Sequence, residues 1–235
     1  MKESPKRILL KLSGEALGEN GRLFDQDMIL RVGKILSDVA ATGAQLGVVI
    51  GAGNIWRGRQ SKEMDAVTAD HMGMLGTVIN CLCMRDAVER TGGHAVVFSA
   101  IDMPCVCEPY NVQSARQAMA EGKVVFFAGG SGNPFFTTDT AVVLRAAEMQ
   151  ADMLLLAKNV DGVYTADPNK EPNAQLIPDI SYAEALERRL RVMDTAAFAM
   201  LTEQAIPMVR VFGLAEPENI LKVIAGDPRG TVLHP

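Results

Sequence analysis

Residues 129–139 read Gly-Gly-Ser-Gly-Asn-Pro-Phe-Phe-Thr-Thr-Asp, and they lie between an apolar run at 124–128 and an alanine- and valine-rich helical pattern at 140–149. Glycines let the backbone approach an anion closely, and hydroxyl or carboxylate side chains cap a helix start whose positive end attracts phosphate. Phe135 and Phe136 are unusual in a loop and indicate a pocket wall or a subunit contact. The segment therefore predicts a phosphate cradle, and a helix cap after a tight turn is the simpler alternative.

The composition is that of one ordinary globular domain. A chain of 235 residues can bury a substantial core, and 48% hydrophobic with 22% charged residues is typical of such a domain. The formal net charge of −5 argues against nucleic acid as a partner, because nucleic-acid binding favours a basic surface. The sequence shows no signal-peptide core and no apolar run long enough to cross a bilayer, so we expect no membrane partner and a cytoplasmic location.

The four cysteines form two C-x-C pairs, Cys81 with Cys83 and Cys105 with Cys107, a pattern that raises the question of a zinc site. Cys81 and Cys83 lie in a helical pattern, where residues two apart do not share a face. Reduced, mostly buried thiols are therefore the better interpretation.

Apolar runs alternate with helical patterns along the chain. Strands are predicted at 8–12, 46–50, 95–98, 124–128, 153–156 and 208–212, and helices at 27–42, 67–90, 112–121, 140–149, 182–189, 194–204 and 217–225. Strands that are apolar throughout are buried on both faces, which predicts a single-domain, three-layer αβα sandwich with a mostly parallel central sheet. Residues 166–178 are polar and read as a surface loop or lid. The glycine-bearing loops after Leu12, Ile50 and Ala128 are then expected to meet at the carboxyl edge of the sheet, where ligands bind.

Neither familiar phosphate fingerprint is present, because G-x-x-x-x-G-K-[ST] is absent and residues 51–56 lack a third glycine at dinucleotide-binding spacing. Lys11 lies near the end of the first apolar strand, where burial without an anionic partner is costly, so we expect it either to meet phosphate or to extend to the surface. Arg57 suits phosphate and Asp70 suits a ribose hydroxyl, with a surface charge or a helix-start carboxylate as the alternative for each. The histidines are isolated in sequence, so histidine chemistry is not expected.

Six segments resemble the bacterial uridylate kinases, the UMP kinases of the amino acid kinase family. They are KLSGEA at 11–16, GVVIGAGN at 47–54, DHMGML at 70–75, GNPFFTTD at 132–139, VDGVYTADP at 160–168 and VMD at 192–194. The first and fifth belong to the whole family, whereas the third and fourth are specific to the uridylate branch. The match runs in order from about residue 6 to residue 231.

The resemblance implies that ATP donates its γ-phosphoryl group to UMP with Mg²⁺, giving UDP and ADP in pyrimidine nucleotide biosynthesis. It implies catalytic roles for Lys11, Arg57, Asp139 and Asp194 and leaves the metal ligands unassigned. It places ATP, mainly in the second half of the chain, against Lys11, Leu12, Ser13, Gly14, Gly53, Arg57, Asn159, Tyr164 and Asp167. It places UMP, mainly in the first half, against Ala52, Asp70, Ser131, Gly132, Asn133, Pro134, Phe135, Phe136, Thr137 and Thr138. It also implies a homohexamer that GTP activates and UTP inhibits.

Three departures from the family pattern bear on these expectations. Many relatives have three consecutive glycines where this chain has Ala52 between two glycines, which is a mild change if the φ of Ala52 stays negative. The sequence around Lys158 and Asn159 differs from other branches and leaves the adenine contacts open by a residue. Val96 stands where some relatives carry an arginine linked to the GTP response.

The chemistry of a UMP acceptor needs no protein base, because its phosphate has a second pKa near ~6 and is largely dianionic at neutral pH. The protein must instead hold two anions in line and stabilise the transferring charge. Two alternatives remain open. A sibling kinase for a carboxylate or carbamate would share Lys11 but not the Phe-Phe-Thr-Thr segment with Asp70. A nucleotide sensor on the same fold would bind ATP without turnover, and the presence of both Lys11 and Asp139 argues against it.

Overall fold

The computed structural model describes residues 6–18, 22–56, 63–168, 170–190 and 192–235. The strands are β1 (Arg7–Leu12), β2 (Gln45–Ile50), β3 (Ala95–Ser99), β4 (Glu108–Pro109), β5 (Val124–Ala128), β6 (Met153–Lys158), β7 (Val163–Tyr164), β8 (Leu176–Ile177), β9 (Asp179–Ser181), β10 (Val209–Gly213) and β11 (Thr231–His234). The helices are α1 (Gln26–Ala41), α2 (Ala66–Arg90), α3 (Val112–Ala120), α4 (Thr138–Met149), α5 (Tyr182–Glu187), α6 (Thr195–Glu203) and α7 (Asn219–Ile224), and a 3₁₀ turn spans Gly14–Leu17.

The central sheet has nine strands in the order β4-β3-β5-β2-β1-β6-β10-β11-β9. Its strand pairs are parallel except for the antiparallel pair of β10 with β11. β1 lies at the centre, with Lys11 opposite Val49 of β2 on one side and Leu156 of β6 on the other. The predicted mostly parallel α/β sheet is confirmed.

Alternate residues of each central strand enter different hydrophobic layers, because successive side chains of a strand point to opposite faces. Ile8, Leu10 and Leu12 of β1 pack with α1, α2 and α7 on one face of the sheet. Leu9 packs with α3, α4, α5 and α6 on the other face. Both faces are therefore covered, and β1, β2, β5 and β6 read as continuous apolar runs for this reason.

The six long strands and the seven helices were predicted to within a few residues of their ends. The short strands β4, β7, β8, β9 and β11 were missed, because a run of two to four residues carries no detectable period. The predicted loop at 166–178 is also too simple, since its end forms β8, which pairs antiparallel with β7. This hairpin narrows the space beside the end of β6.

Two of the cysteines, Cys81 and Cys107, are buried, as expected of structural thiols, whereas Cys83 is partly buried and Cys105 is exposed. Burial raises the pKa of the Cys81 thiol, which keeps it protonated and unreactive. Across the described ranges, no group of three or more His, Cys, Asp or Glu side chains is arranged to hold a metal ion. Nor does any helix in these ranges combine the length and apolarity needed to span a membrane.

Candidate active site

The glycine-bearing loops after β1, β2 and β5 meet at the carboxyl edge of the sheet. A Cβ atom added to Gly14 would lie only 2.4 Å from the carbonyl oxygen of Gly51. One added to Gly51 would lie 3.6 Å from Thr138 Oγ1 at the start of α4. Three segments far apart in sequence therefore surround one point, in the place where open parallel sheets bind their ligands.

The loop after β5 depends on glycine for its backbone path. Gly129, Gly130 and Gly132 have φ of 75°, 60° and 81°, in the left-handed region that side chains disfavour. Phe135 adopts φ of 73° without being glycine, and its N–H donates to Asp70 Oδ2 at 2.6 Å. Asp70 at the start of α2 thus holds the tip of this loop in its strained conformation.

The first cleft, of about 760 Å³, lies between this loop, the loop after β2 and the start of α2. Its lining includes seven of the residues predicted to bind UMP, namely Ala52, Asp70, Asn133, Phe135, Phe136, Thr137 and Thr138. Both phenylalanines are largely exposed, at 69% and 52%, and form an apolar wall on which the ring of a ligand could stack. Ala52 is not in the left-handed region, so it replaces glycine without strain. Ser131, Gly132 and Pro134 belong to the loop but do not line the cleft.

The second cleft, of about 490 Å³, lies beside the end of β6 and the β7–β8 hairpin. Tyr164 and Asp167 line it, as does Lys158 at one end. Asn159 does not line it, and its Nδ2 instead donates to Glu15 Oε2 at 2.8 Å. Of Asn159, Tyr164 and Asp167, the last three residues that the resemblance assigns to ATP, the structure therefore brings two together in this cleft.

Two lysines and one carboxylate form a cluster between the clefts. Lys11 Nζ lies 3.3 Å from Asp139 Oδ1, and Lys158 Nζ lies 3.7 Å from Asp139 Oδ2. Burial lowers the pKa of the Lys158 ammonium, while Asp139 opposes this shift. Lys158 lines the second cleft and Thr138, the residue before Asp139, lines the first, so the cluster lies close to both clefts. The charge of Asp194 acts on Lys158 as well, so the two ammonium groups lie near two carboxylates.

Asp194, for which the resemblance implies a catalytic role, acts on Lys158 by its charge and is itself held by hydroxyl and backbone donors. Its carboxylate accepts hydrogen bonds from the Thr137 hydroxyl, from Thr140 Oγ1 at 3.1 Å and from the N–H of Ala197 at 2.9 Å. Partial burial raises its pKa, but these donors outweigh burial and hold the pKa of Asp194 below its usual range. Asp194 therefore caps α6 and ties it to the start of α4.

The remaining residues that were predicted to contact ATP are Leu12, Ser13, Gly14, Gly53 and Arg57. Ser13 caps the 3₁₀ turn that contains Gly14, Leu12 is fully buried beneath it, and Gly53 lines the first cleft. Arg57 lies outside the described residues.

Sequence reasoning missed three side chains at this edge: Lys158, Thr77 and Asn80. Lys158 is the last residue of an apolar strand and Lys11 is the next-to-last residue of another, so the same signal was available for both. Thr77 and Asn80 are buried polar residues inside the long helix α2, and a helical pattern gave no reason to single them out.

The fold and the two clefts place the protein among the open α/β proteins that bind their ligands at the carboxyl edge of a parallel sheet. The family model of the amino acid kinase family matches residues 6–210, and the chain belongs to this family.

Solved structures agree with this assignment over nearly the whole chain. A UMP kinase from Ureaplasma parvum is 33% identical with a TM-score of 0.92, and the match covers 98% of this chain and 99% of that one. A UMP kinase from Bacillus anthracis is 35% identical with a TM-score of 0.92, over 98% of this chain and 96% of that one. A uridylate kinase from Archaeoglobus fulgidus, at 24% identity and a TM-score of 0.72 over 96% and 99% of the two chains, supports the fold alone. The resemblance to UMP kinases is confirmed.

Proposed function

We propose that this protein is a UMP kinase, which transfers the γ-phosphoryl group of ATP to UMP and releases UDP and ADP. The observation that carries the proposal is the cluster of Lys11, Lys158 and Asp139 between two clefts. Clefts of about 760 and 490 Å³ fall in the size range of small-molecule sites. Two anionic ligands, one in each cleft, would bring their phosphates together near this cluster, since Lys158 lines the second cleft and Thr138, the residue before Asp139, lines the first.

The first cleft is assigned to UMP and the second to the adenosine end of ATP. The first cleft offers the Phe135 and Phe136 rings to a base, and it adjoins the Asp70 carboxylate, an acceptor for ribose hydroxyls. The second cleft offers the Tyr164 ring beside the hairpin. This division follows the sequence, since the first cleft is lined by residues before 139 and the second by residues after 157.

The chain's own groups perform the transfer by position and charge. UMP brings a dianionic phosphate, so no side chain has to remove a proton. Lys11 and Lys158 neutralise the charge that spreads over the transferring oxygens, and Asp139 holds the two ammonium groups in place as the carboxylate that both approach. The start of α4, capped by Thr137, adds the positive end of a helix dipole beside the cluster. The apolar walls limit water, which would otherwise compete as acceptor.

The donor set near the cluster fits a Mg²⁺ ion that arrives mainly on the phosphates of ATP. Such ions use one or two protein carboxylates together with substrate oxygens. Asp139 Oδ1 is buried and, within the described residues, accepts no hydrogen bond, although Lys11 Nζ lies 3.3 Å away. Asp139 is thus the residue that would hold the ion, whereas Asp194 is already occupied by three donors. When bound, Mg²⁺ supplies further neutralisation of the phosphate charge.

An acceptor panel tests the proposal against its alternatives. ADP release is measured with ATP, Mg²⁺ and, in separate reactions, UMP, CMP and a set of carboxylate and carbamate acceptors. We expect UMP to support the fastest release. Faster release with a carboxylate or carbamate would favour a sibling kinase, and tight ATP binding without release for any acceptor would favour a sensor.

Assembly, regulation and location stay predictions from the resemblance. We propose a cytoplasmic homohexamer in pyrimidine nucleotide biosynthesis that GTP activates and UTP inhibits. Met72, Leu75 and Ile79 form an exposed apolar stripe on α2, which supports self-association. Sedimentation equilibrium tests the hexamer, and rates measured with added GTP or UTP test the two effectors.

Asp70→Ala is expected to raise the KM for UMP by about tenfold or more while kcat changes much less, because a ribose contact acts in the ground state and the transition state alike. The change also frees the N–H of Phe135, which loosens the wall of the first cleft. The KM for each substrate is measured in turn. Asp86→Ala, on the exposed side of the same helix, is the matched control and should leave both KM values unchanged. Loss of ATP binding with UMP binding intact would reverse the assignment of the clefts.

The triple variant His71→Gln, His94→Gln, His234→Gln is expected to keep kcat within about tenfold, whereas loss of a general base typically costs 10²- to 10⁴-fold. None of the three lines either cleft, and His234 instead faces Asp179 at 3.2 Å. A fall of kcat at acid pH should persist in the variant, since it reflects protonation of the UMP phosphate. A loss of about 10²-fold in kcat together with loss of that fall at acid pH, in a variant folded by circular dichroism, would implicate an imidazole.

A further inference from the structure

Thr77 is a buried residue in the middle of α2 whose hydroxyl makes two hydrogen bonds. Its Oγ1 donates to the carbonyl oxygen of Met74 at 2.6 Å, within the helix, and accepts from the N–H of Gly129 at 2.9 Å. Gly129 follows β5 directly and begins residues 129–136, the acceptor loop, whose far end forms a wall of the first cleft. α2 therefore holds the first backbone N–H of the acceptor loop.

The next residue of the acceptor loop is held by a buried arginine on α4. Arg145 is only 3% exposed, and its Nη2 donates to the carbonyl oxygen of Gly130 at 3.3 Å. The Glu148 carboxylate on the same helix pairs with its charge, and the centroid of the Tyr110 ring lies 3.8 Å from the guanidinium carbon. The Tyr110 hydroxyl also donates to Glu148. A long charged side chain is seldom buried so fully, and here its planar fork joins Glu148 to the acceptor loop.

The root of the acceptor loop, residues 129–132, is packed tightly, whereas its far end is exposed. The N–H of Gly132 donates to the oxygen of Gly129 at 2.9 Å, and a Cβ atom added to Gly132 would lie 3.0 Å from the oxygen of Ala100. Phe135, at the far end, is largely exposed. Because the glycines of the root have wide backbone freedom, the bonds made to the root decide where the far end lies.

We propose that Thr77 and Arg145 are positioning residues for the acceptor, which fix the root of the acceptor loop and so place its far end against UMP. The inference rests on the proposed function for the identity of the ligand. Ordering a loose loop costs backbone entropy, and a loop that is already ordered does not take this cost from the binding of its ligand. The gain is the same in the ground state and the transition state, so it changes the KM for UMP and not kcat.

Thr77→Val removes the hydroxyl with little change of shape and leaves the N–H of Gly129 without this acceptor. We expect the KM for UMP to rise about fivefold, while kcat and the KM for ATP stay within about twofold of the native values. Thr77→Ser keeps the hydroxyl and should have a KM for UMP within about twofold of the native value. An unchanged KM for UMP in the Thr77→Val protein, or equal rises for both substrates, would overturn the proposal.

Thr231→Val is the matched control for the lost hydroxyl. Thr231 is also buried, and its Oγ1 accepts from the N–H of Val163 at 2.8 Å and donates to the oxygen of Ile177 at 2.6 Å. Val163 lines the second cleft, so this variant should leave the KM for UMP within about twofold of the native value. A rise equal to that of Thr77→Val would show that the loss of any buried hydroxyl loosens the protein, and it would overturn the proposal.

Arg145→Lys keeps the charge and loses the planar fork that reaches Glu148 and Gly130 together. We expect it to raise the KM for UMP about fivefold. Arg210→Lys is its matched control, because Arg210 is also buried, donates to two backbone oxygens before β11, and is not among the described residues that line either cleft. The KM for UMP should not change in the control, and equal rises in the two variants would overturn the role of Arg145.

Two measurements separate this inference from the proposed function. Trp56, the only tryptophan of the chain, lines the first cleft, so its fluorescence measures UMP binding without ATP or turnover. We expect UMP to bind about fivefold more weakly to the Thr77→Val protein than to the native protein. Hydrogen exchange of the amides at 129–136, measured by mass spectrometry without ligand, should be faster in the Thr77→Val and Arg145→Lys proteins than in the native protein.

The outcomes of these measurements are distinct. A native protein that binds no UMP would refute the proposed function, and faster exchange at 129–136 in the variants would then still support the fixing of the acceptor loop by the two side chains. Unchanged exchange at 129–136 in both variants would overturn the inference, whatever the acceptor is. If either variant does not fold, the other decides.

Discussion

Lys11→Ala lowers the kcat of UMP phosphorylation by about 10²-fold or more, while UMP binding changes far less. The ammonium of Lys11 lies in the cluster between the two clefts, with its Nζ 3.3 Å from Asp139. Its charge matters most when the phosphoryl group separates from ADP, because negative charge then builds up on the oxygens around it. A side chain that acts mainly in the transition state lowers kcat and kcat/KM together. Steady-state kinetics with each substrate varied in turn measures both.

The control for this variant is Lys34→Ala, which removes a lysine that is exposed on α1 and paired with Asp38. Lys34 lines neither cleft, so the kinetic constants of the Lys34→Ala protein should match those of the unaltered protein. Near-native kcat in the Lys11→Ala protein would remove Lys11 from the site and with it the proposed centre of the reaction.

Asp139→Asn is expected to lower kcat by about 10²-fold as well, although the substitution keeps the shape of the side chain. Without the carboxylate, the two ammonium groups lose the counter-charge that they share, and only the charge of Asp194 still acts on Lys158, so they no longer hold their positions. The variant also has a distinct pH signature. Burial already lowers the pKa of Lys158 and Asp139 opposes that shift, so removing Asp139 lowers the pKa further.

The alkaline limb of kcat should therefore move to lower pH in the Asp139→Asn protein, because Lys158 loses its proton sooner. A pH profile of kcat for both proteins measures the displacement. Asp38→Asn, the other half of the exposed ion pair on α1, is the matched control and should leave the profile in place. An alkaline limb that stays fixed, with kcat near the native value, would show that Asp139 does not organise the lysines.

The central sheet could be predicted from sequence because its strands are buried on both faces. β1, β2, β5 and β6 are nearly unbroken apolar runs, and a run of five or six such residues between helical patterns is typical of a strand covered by helices on both sides. The strands at the edge of the sheet were harder to predict from the sequence. β11 and β9 are short and are specified by their partners in space, which a local pattern cannot reveal.

Some residues of the candidate site could likewise be predicted from the sequence, and others could not. Lys11 was found because a charge at the end of an apolar strand is conspicuous, and the glycine loop before Asp139 was found by its composition. Thr77 and Asn80 were not found, since each bonds a loop far away in sequence, at Gly129 for Thr77 and at Gly51 for Asn80. The resemblance implied a catalytic role for Asp194, but its hydroxyl partners Thr137 and Thr140 become visible only when α4 and α6 are packed together.

Transfer of a labelled phosphoryl group tests the central claim most directly. The protein is incubated with Mg²⁺, UMP and ATP that carries a label in its γ-phosphate, and the labelled products are separated and identified. We expect the label to appear in the terminal phosphate of UDP, in amounts equal to the ADP formed. Label that remains in ATP, or that appears as inorganic phosphate while UMP stays unchanged, would contradict the account.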